Sequence, residues 1–269
     1  MRRRLRTSFA LTLLLLVTAG CVWIDYSLKM SLQPAALISG TLLYALLLGL
    51  TAFNARKKLP FLPLLKAKTW LNFHIYAGWF SAALFLVHLD FHLPSGGLEI
   101  LITALFVLVA LSGVVGHVLS RVLPARLTVH GENILFERIP GYRVDLRREV
   151  EEIVLAAVES IGSTTVSDFH ERHLADYFAR PRHLLSHLFG SPKPLHKLLE
   201  RIDALDRFLN SEEREVMKRI ANRVRVKDNL DFQWYVQGLL KVWLFVHIPL
   251  TYGLLILAAA HGMLAWKFT

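Results

Sequence analysis

A single cysteine, Cys21, occurs in the 269 residues. One cysteine excludes an internal disulfide, a cysteine-ligated iron–sulfur cluster and the C-x-x-C-H attachment of a c-type haem. No G-x-G-x-x-G follows a strand pattern, which removes the usual dinucleotide fingerprint. Internal repeats and low-complexity tracts are also missing, and no residue stands out as a general acid, base or nucleophile. Charged residues make up only 19% of the chain against 54% hydrophobic, with a mean hydropathy of +0.42. That balance is too apolar for an ordinary soluble domain. An all-α integral membrane protein is expected. The formal net charge of +10 would suggest nucleic acid in a soluble protein, but basic residues also collect on the cytoplasmic side of membrane proteins. Membrane lipid, and no nucleic acid, is the expected partner.

Five apolar runs are long enough to be spans. The first covers residues 9–24, behind four arginines between Met1 and Arg6. It reads as a transmembrane helix anchored outside by Trp23 and Tyr26, although a cleaved signal ending near Cys21 is the other reading of residues 1–20. The second covers 35–53 and stops at Arg56, Lys57 and Lys58. A proline-broken, basic stretch then lies along the inner interface. The third covers 70–93 and is followed by a tight turn at Pro94–Gly97. The fourth covers 98–120 and is closed by Arg121, Pro124 and Arg126. The fifth covers 241–266. Lysine and arginine number four before the first span, one in the next loop, five before the third span and none in the next turn. This alternation puts the N-terminus in the cytoplasm, in a bacterial cytoplasmic membrane by expectation, and the C-terminus outside. Spans three and five then run in the same direction.

Those two spans carry the histidines that organise the chain. His74 and His88 stand fourteen residues apart in the third, and His247 and His261 fourteen apart in the fifth. Fourteen helical residues turn about 1400°, within about 40° of whole turns, and rise about 21 Å. Each pair therefore faces one way at two depths, with His74 level with His247 and His88 level with His261. A lone histidine in a membrane helix is often a satisfied interior polar group. Four at equal spacing on two parallel helices are poorly explained that way, because intramembrane ionisable residues are costly and default to function. Two flat cofactors clamped one above the other would explain them, and imidazole is a standard axial ligand of haem iron. Without a covalent attachment motif such haems are b-type.

The surroundings admit two readings each. Gly40, Gly49, Gly78, Gly113, Gly116, Gly253 and Gly262 leave room for a porphyrin face or for close helix packing. Phe73, Phe80, Phe85 and Phe245 wall the haems or are ordinary core. His92, one turn beyond His88, reads as an interfacial residue near a haem propionate. His117, near the inner end of span four, reads as a contact to a propionate or a quinone headgroup, or as a structural hydrogen bond.

By segment, residues 1–34 hold the N-terminal helix and an outer loop, 35–120 hold spans two to four, 121–233 form a cytoplasmic and mainly helical domain, and 234–269 hold the last span. In the polar domain residues 127–139, with Gly131-Glu132-Asn133 at their middle, suggest a β-hairpin. Residues 145–160, 167–179, 194–209 and 211–226 suggest amphipathic helices, with Ser167 and Ser211 as N-caps and a break at Gly190 and Pro192. His183 and His187 have the i, i+4 spacing of a metal pair, but the loose cluster of His170, His173, His183, His187 and His196 reads chiefly as a solvated basic face. The basic residues between 201 and 227 suit anionic lipid or an acidic partner protein.

At His74/His88 and His247/His261 the chain resembles the di-haem b-type cytochromes, among them the respiratory cytochrome b bundle and the ferric-reductase-like transmembrane domain. In both, two helices each supply a histidine pair at about this spacing. The resemblance covers spans two to five, about half the chain. It implies a di-haem four-helix bundle, bis-histidine ligation of two haem b irons by His74 with His247 and His88 with His261, and electron transfer across the membrane between redox partners. The sequence departs from ferric reductases in having no flavin and nicotinamide domain after the last span, and from the respiratory subunit in its five spans and large insert. Two other functions stay open at this stage. One is the quinol-oxidising membrane subunit of a larger oxidoreductase, with a quinone near His117 or His92. The other is a haem-free transporter or anchor.

Overall fold

A computed structural model describes residues 2–58, 67–129 and 134–268. Ten α-helices carry the chain among these residues: α1 (Arg2–Met30), α2 (Ala35–Lys58), α3 (Ala67–His88), α4 (Gly97–Val129), α5 (Ile139–Ile161), α6 (Thr164–Phe169), α7 (Ala175–Ala179), α8 (Leu184–Phe189), α9 (Lys193–Ala204) and α10 (Ser211–Phe268). A π-helical turn, His170–Leu174, joins α6 to α7, and 3-10 turns lie at Phe136–Arg138 and Asp206–Phe208. Among the described residues four helices are long and apolar enough to cross a membrane: Ala35–Ala52, Lys68–His88, Gly97–Leu123 and the apolar part of Ser211–Phe268. The expected first span falls within α1, and the interfacial stretch expected after Lys58 lies outside the described residues.

The chain divides into two units. The first comprises Met1–Val118 with Trp243–Thr269. Here α2 and α3 run antiparallel, as Ser39, early in α2, meets His88 at the end of α3. Leu43, Leu47, Leu84, Phe85, Phe106 and Leu254 form the buried core, with Phe85 stacked on Phe106 at 3.9 Å. Lys29 at the end of α1 bridges Asp25 and Asp90, each at 2.8 Å, so α1 and α3 end together. Outside this core the helices are apolar where they are exposed. Leu101, Leu108, Leu111 and Val115 on α4 all stand about half exposed. A continuous apolar surface of that kind is compatible with surrounding hydrocarbon. The reversal after α3 is made by Asp90 and Phe91, both at positive φ (51° and 58°), so the helix ends at His88 and not at residue 93.

The second unit is Leu119–Val242. Its core joins α5, α6, the π-helical turn and the first half of α10 through Ile139, Val150, Val166, Leu174, Ile220 and Val224, none more than 1% exposed, and α9 adds Ile202 at 5%. The α5 helix ends at Gly162, whose φ of 62° suits a left-handed cap.

Several expectations are corrected here. The hairpin over residues 127–139 is not formed among the described residues: Val129 still belongs to α4 and Ile139 opens α5, while the tip at 131–133 lies outside them. The reason is visible at Ile134. Its N–H donates to Gln233 Oε1 at 2.9 Å and its carbonyl accepts from Gln237 Nε2 at 2.8 Å, so side chains of α10 satisfy the groups a partner strand would. Phe136 then stacks on Trp234 at 4.3 Å. The N-caps are also shifted. Ser163, not Ser167, accepts from Val166 N–H. Asn210, not Ser211, caps α10, accepting from Glu213 N–H at 2.8 Å while Glu213 accepts from Asn210 N–H at 3.0 Å. This is a reciprocal capping box. Finally, α10 runs unbroken through residues 226–241, where separate helices were expected. No glycine or proline interrupts residues 211–237, and Lys227 pairs with Asp231 one turn on.

Candidate functional site

The two spans that carry the paired histidines are α3 and α10, and all four rings belong to the first unit. His74 and His247 line one small apolar cavity with Leu50, Leu71, Trp243 and Ile248. His88 and His261 lie close enough for a charge on one to act on the other, as do His74 and His247. The fourteen-residue rise therefore separates two histidine pairs, not four isolated rings.

Neighbouring helices position one ring of each pair. His247 Nδ1 is 3.1 Å from Ser112 Oγ on α4, and His88 Nδ1 is 3.1 Å from Ser39 Oγ on α2. Engaging Nδ1 leaves Nε2 as the nitrogen for a metal, which is how metal-binding imidazoles are commonly oriented. Glycines on α2 and α4 make the space. A β-carbon on Gly40 would lie 2.8 Å from His88 Cε1, and one on Gly116 would lie 2.0 Å from Trp243 Cζ2. Trp243 uses that space to stack on His247 at 5.2 Å, with its indole N–H donating to the Ser112 carbonyl at 2.9 Å. Gly40 and Gly116 thus serve side chains. Gly49, Gly78, Gly253 and Gly262 instead have no heavy atom within 4 Å of a β-carbon's place.

In each histidine pair one ring is oriented through Nδ1 by a serine hydroxyl, His247 by Ser112 and His88 by Ser39, which is the support an axial imidazole uses. The cavity between His74 and His247 is about 90 Å³, below the roughly 300 Å³ at which small-molecule sites begin. An occupant of porphyrin size requires its walls, Trp243 and Leu244 among them, to part.

The other expected contacts fall out differently. His92 is exposed and lies beyond the Asp90–Phe91 reversal, with Nδ1 donating to the Asp90 carbonyl at 2.6 Å, so it does not continue the His88 face of α3. His117 is half-buried on α4, next to Gly116. Phe85 belongs to the core, whereas Phe73, edge-on to Trp70, and Phe245 are exposed.

The second unit holds a polar constellation that hydrophobic patterning gave no sign of. Lys227 and Asp231, each 1% exposed, form a buried ion pair. Asp231 also accepts from Arg182 N–H at 2.9 Å and lies 3.5 Å from Arg143 Nε, while Lys227 donates to the Arg180 carbonyl at 3.0 Å and sits over the Tyr177 ring at 4.0 Å. Burial pulls Lys227 below and pushes Asp231 above their ordinary ranges, against their mutual attraction. It also raises the Tyr177 phenol, which stays protonated and donates to the Val224 carbonyl. The metal spacing of His183 and His187 is not realised. His183 is exposed at φ 62° ahead of α8, whereas His187 is buried between Tyr235 and Asp228. Among the described residues no three metal-ligating side chains gather.

Comparison with family models, with curated proteins and with solved structures finds no match.

Proposed function

We propose that this protein is a membrane-bound b-type cytochrome that carries electrons across the membrane through two haems, one held by His74 and His247 and the other by His88 and His261. The observation that supports the reading is the matching of two histidines fourteen residues apart on α3 with two fourteen apart on α10, His74 and His247 lining one cavity and His88 lying near His261. A haem iron bound at each pair supplies reversible one-electron exchange. The chain's own part is ligation, the orientation of His247 by Ser112 and of His88 by Ser39, and an apolar shell that tunes potential. In this reading the bundle spans the membrane five times, with α1 included, the N-terminus and residues 121–233 in the cytoplasm and the C-terminus outside. Electrons pass between a cytoplasmic redox partner or quinol and an external acceptor, in either direction.

The test is the reduced-minus-oxidised visible spectrum of the detergent-purified protein, with haem per chain measured as the pyridine haemochrome. About two b-type haems are expected from the two histidine pairs. A colourless protein after haem supplementation during expression overturns the reading and favours a transporter or anchor.

A further inference from the structure

The second unit contains a cavity of about 510 Å³ whose lining includes Arg172, Arg182, Lys193, Lys197 and Arg201 against a single acid, Asp176. The formal excess is four positive charges on one wall system, and Asp176 is already paired with Arg180 and Arg182. Among the described residues no carboxylate pairs with Lys193, Lys197 or Arg201. These three recur at every fourth residue of α9, so they form one stripe of like charge on its exposed face. Like charges at i, i+4 repel and destabilise a helix. The opposite face of the same helix is well used, since Leu195, Leu198, Leu199 and Ile202 pack into the core. A helix that obeys amphipathic logic on one face and violates charge logic on the other marks a functional surface.

Two backbone irregularities border the same cavity. Arg172 and His173 come from the π-helical turn His170–Leu174, where the helix departs from α geometry. Single π turns recur at functional sites. His183 contributes from a positive φ of 62°, a conformation non-glycine residues adopt rarely and that concentrates at ligand sites. Tyr177, buried and held by Val224, forms part of the lining. Asp168 lies 3.8 Å from Arg172 and Asp176 pairs with Arg182, but three guanidinium groups with two ammonium groups exceed what these two carboxylates neutralise, and they match the several oxygens and multiple charges of a phosphate ester or diphosphate. The volume falls in the range of small-molecule sites.

We propose that this cavity binds a phosphate-bearing anion of two or more negative charges, held by Lys193, Lys197 and Arg201 of α9 on one side and Arg172 and Arg182 on the other. The site is separate from the histidine pairs and does not depend on their role.

The test uses the full chain in nanodiscs of zwitterionic lipid, with pyrophosphate as the probe and calorimetric titration as the readout. Saturable binding that weakens as salt is raised is expected. Lys197→Glu with Arg201→Glu should weaken it by about tenfold or more, the scale of losing charged hydrogen bonds. Lys197→Gln with Arg201→Gln should weaken it in the same direction with an unchanged melting curve, which separates lost charge from lost fold. Lys218→Glu with Arg219→Glu, on an exposed part of α10, should leave it unchanged. No saturable binding, or an equal loss from the α10 pair, overturns the site. Repeating the titration in phosphatidylglycerol nanodiscs identifies the source. An unchanged affinity assigns the cavity to a soluble phosphate compound, and competition by the lipid assigns it to an anionic headgroup.

Discussion

The imidazole of His88 occupies the space that Gly40 leaves on α2, for a β-carbon on Gly40 would lie 2.8 Å from its Cε1. A methyl at that distance must displace the ring, because the glycine backbone is fixed within the helix. Gly40→Ala is therefore expected to lose one of two haems, and Gly49→Ala, with nothing within 4 Å of its β-carbon, to keep both. Each substitution gains about 1 kcal/mol of helix propensity, so a loss confined to Gly40→Ala is steric. The pyridine haemochrome assay reads it, and equal haem content in the two variants would refute the placement.

The hydroxyls of Ser112 and Ser39 stand 3.1 Å from Nδ1 of His247 and His88 respectively. Removing such a partner from a ligating histidine typically weakens metal affinity by about 10- to 100-fold. Ser112→Ala should accordingly deplete or shift the potential of one haem, and Ser39→Ala the other. Potentiometric titration of the two haem components checks this. Both substitutions acting on a single component would contradict the pairing.

Asn210 and Glu213 close the start of α10 reciprocally, and Glu213 also accepts from Ser163 Oγ at 2.6 Å. Asn210→Ala should cost about 1 kcal/mol of stability, the usual scale of a lost cap, while Ser211→Ala should cost close to nothing. Thermal unfolding of the full chain compares them, and a larger effect at Ser211 would restore it as the cap.

Four of the five expected spans were legible because hydropathy acts locally, and the face that His74 and His88 share depends on nothing beyond the 3.6-residue period of their own helix. The second unit was less so. A β-branched run around Gly131 suggests strands, yet Gln233 and Gln237, about a hundred residues away, take the backbone groups of Ile134. Ser211 and Asn210 are both good caps by type, and only the Glu213 carboxylate decides between them. Lys227 and Asp231 read as surface charges on a basic helix. Their burial follows from where α5 and the 180–182 segment pack, which no local pattern records.

Asp231 is the counter-charge of Lys227 in a place where each is 1% exposed. Asp231→Ala leaves Lys227 with the Arg180 carbonyl, the Tyr177 ring and the charge of Asp228, and breaking one side of a buried pair costs about 3–5 kcal/mol. Replacing both, as Lys227→Met with Asp231→Leu, should recover most of that loss, since neither charge then remains buried. The melting temperatures of the full-length single and double variants decide it. A double variant as unstable as the single would mean that Asp231 matters mainly through Arg182 and Arg143.

Ligands that hold one group between them are lost as a unit, which gives the histidine pairs a signature no packing role shares. With about two haems in the parent, His74→Ala and His247→Ala should each remove the same haem, and the two together should remove no more than either alone. His88→Ala and His261→Ala should behave likewise toward the other haem. Crossing the pairs, as His74→Ala with His88→Ala, should remove both, although these two lie on one helix and disturb it together. This non-additivity within pairs and additivity between them follows from coupling through a shared partner. Haem per chain and the resolved spectra of the four single and three double variants provide the measurement. A graded loss that follows helix position rather than pairing would point instead to general damage to α3 and α10.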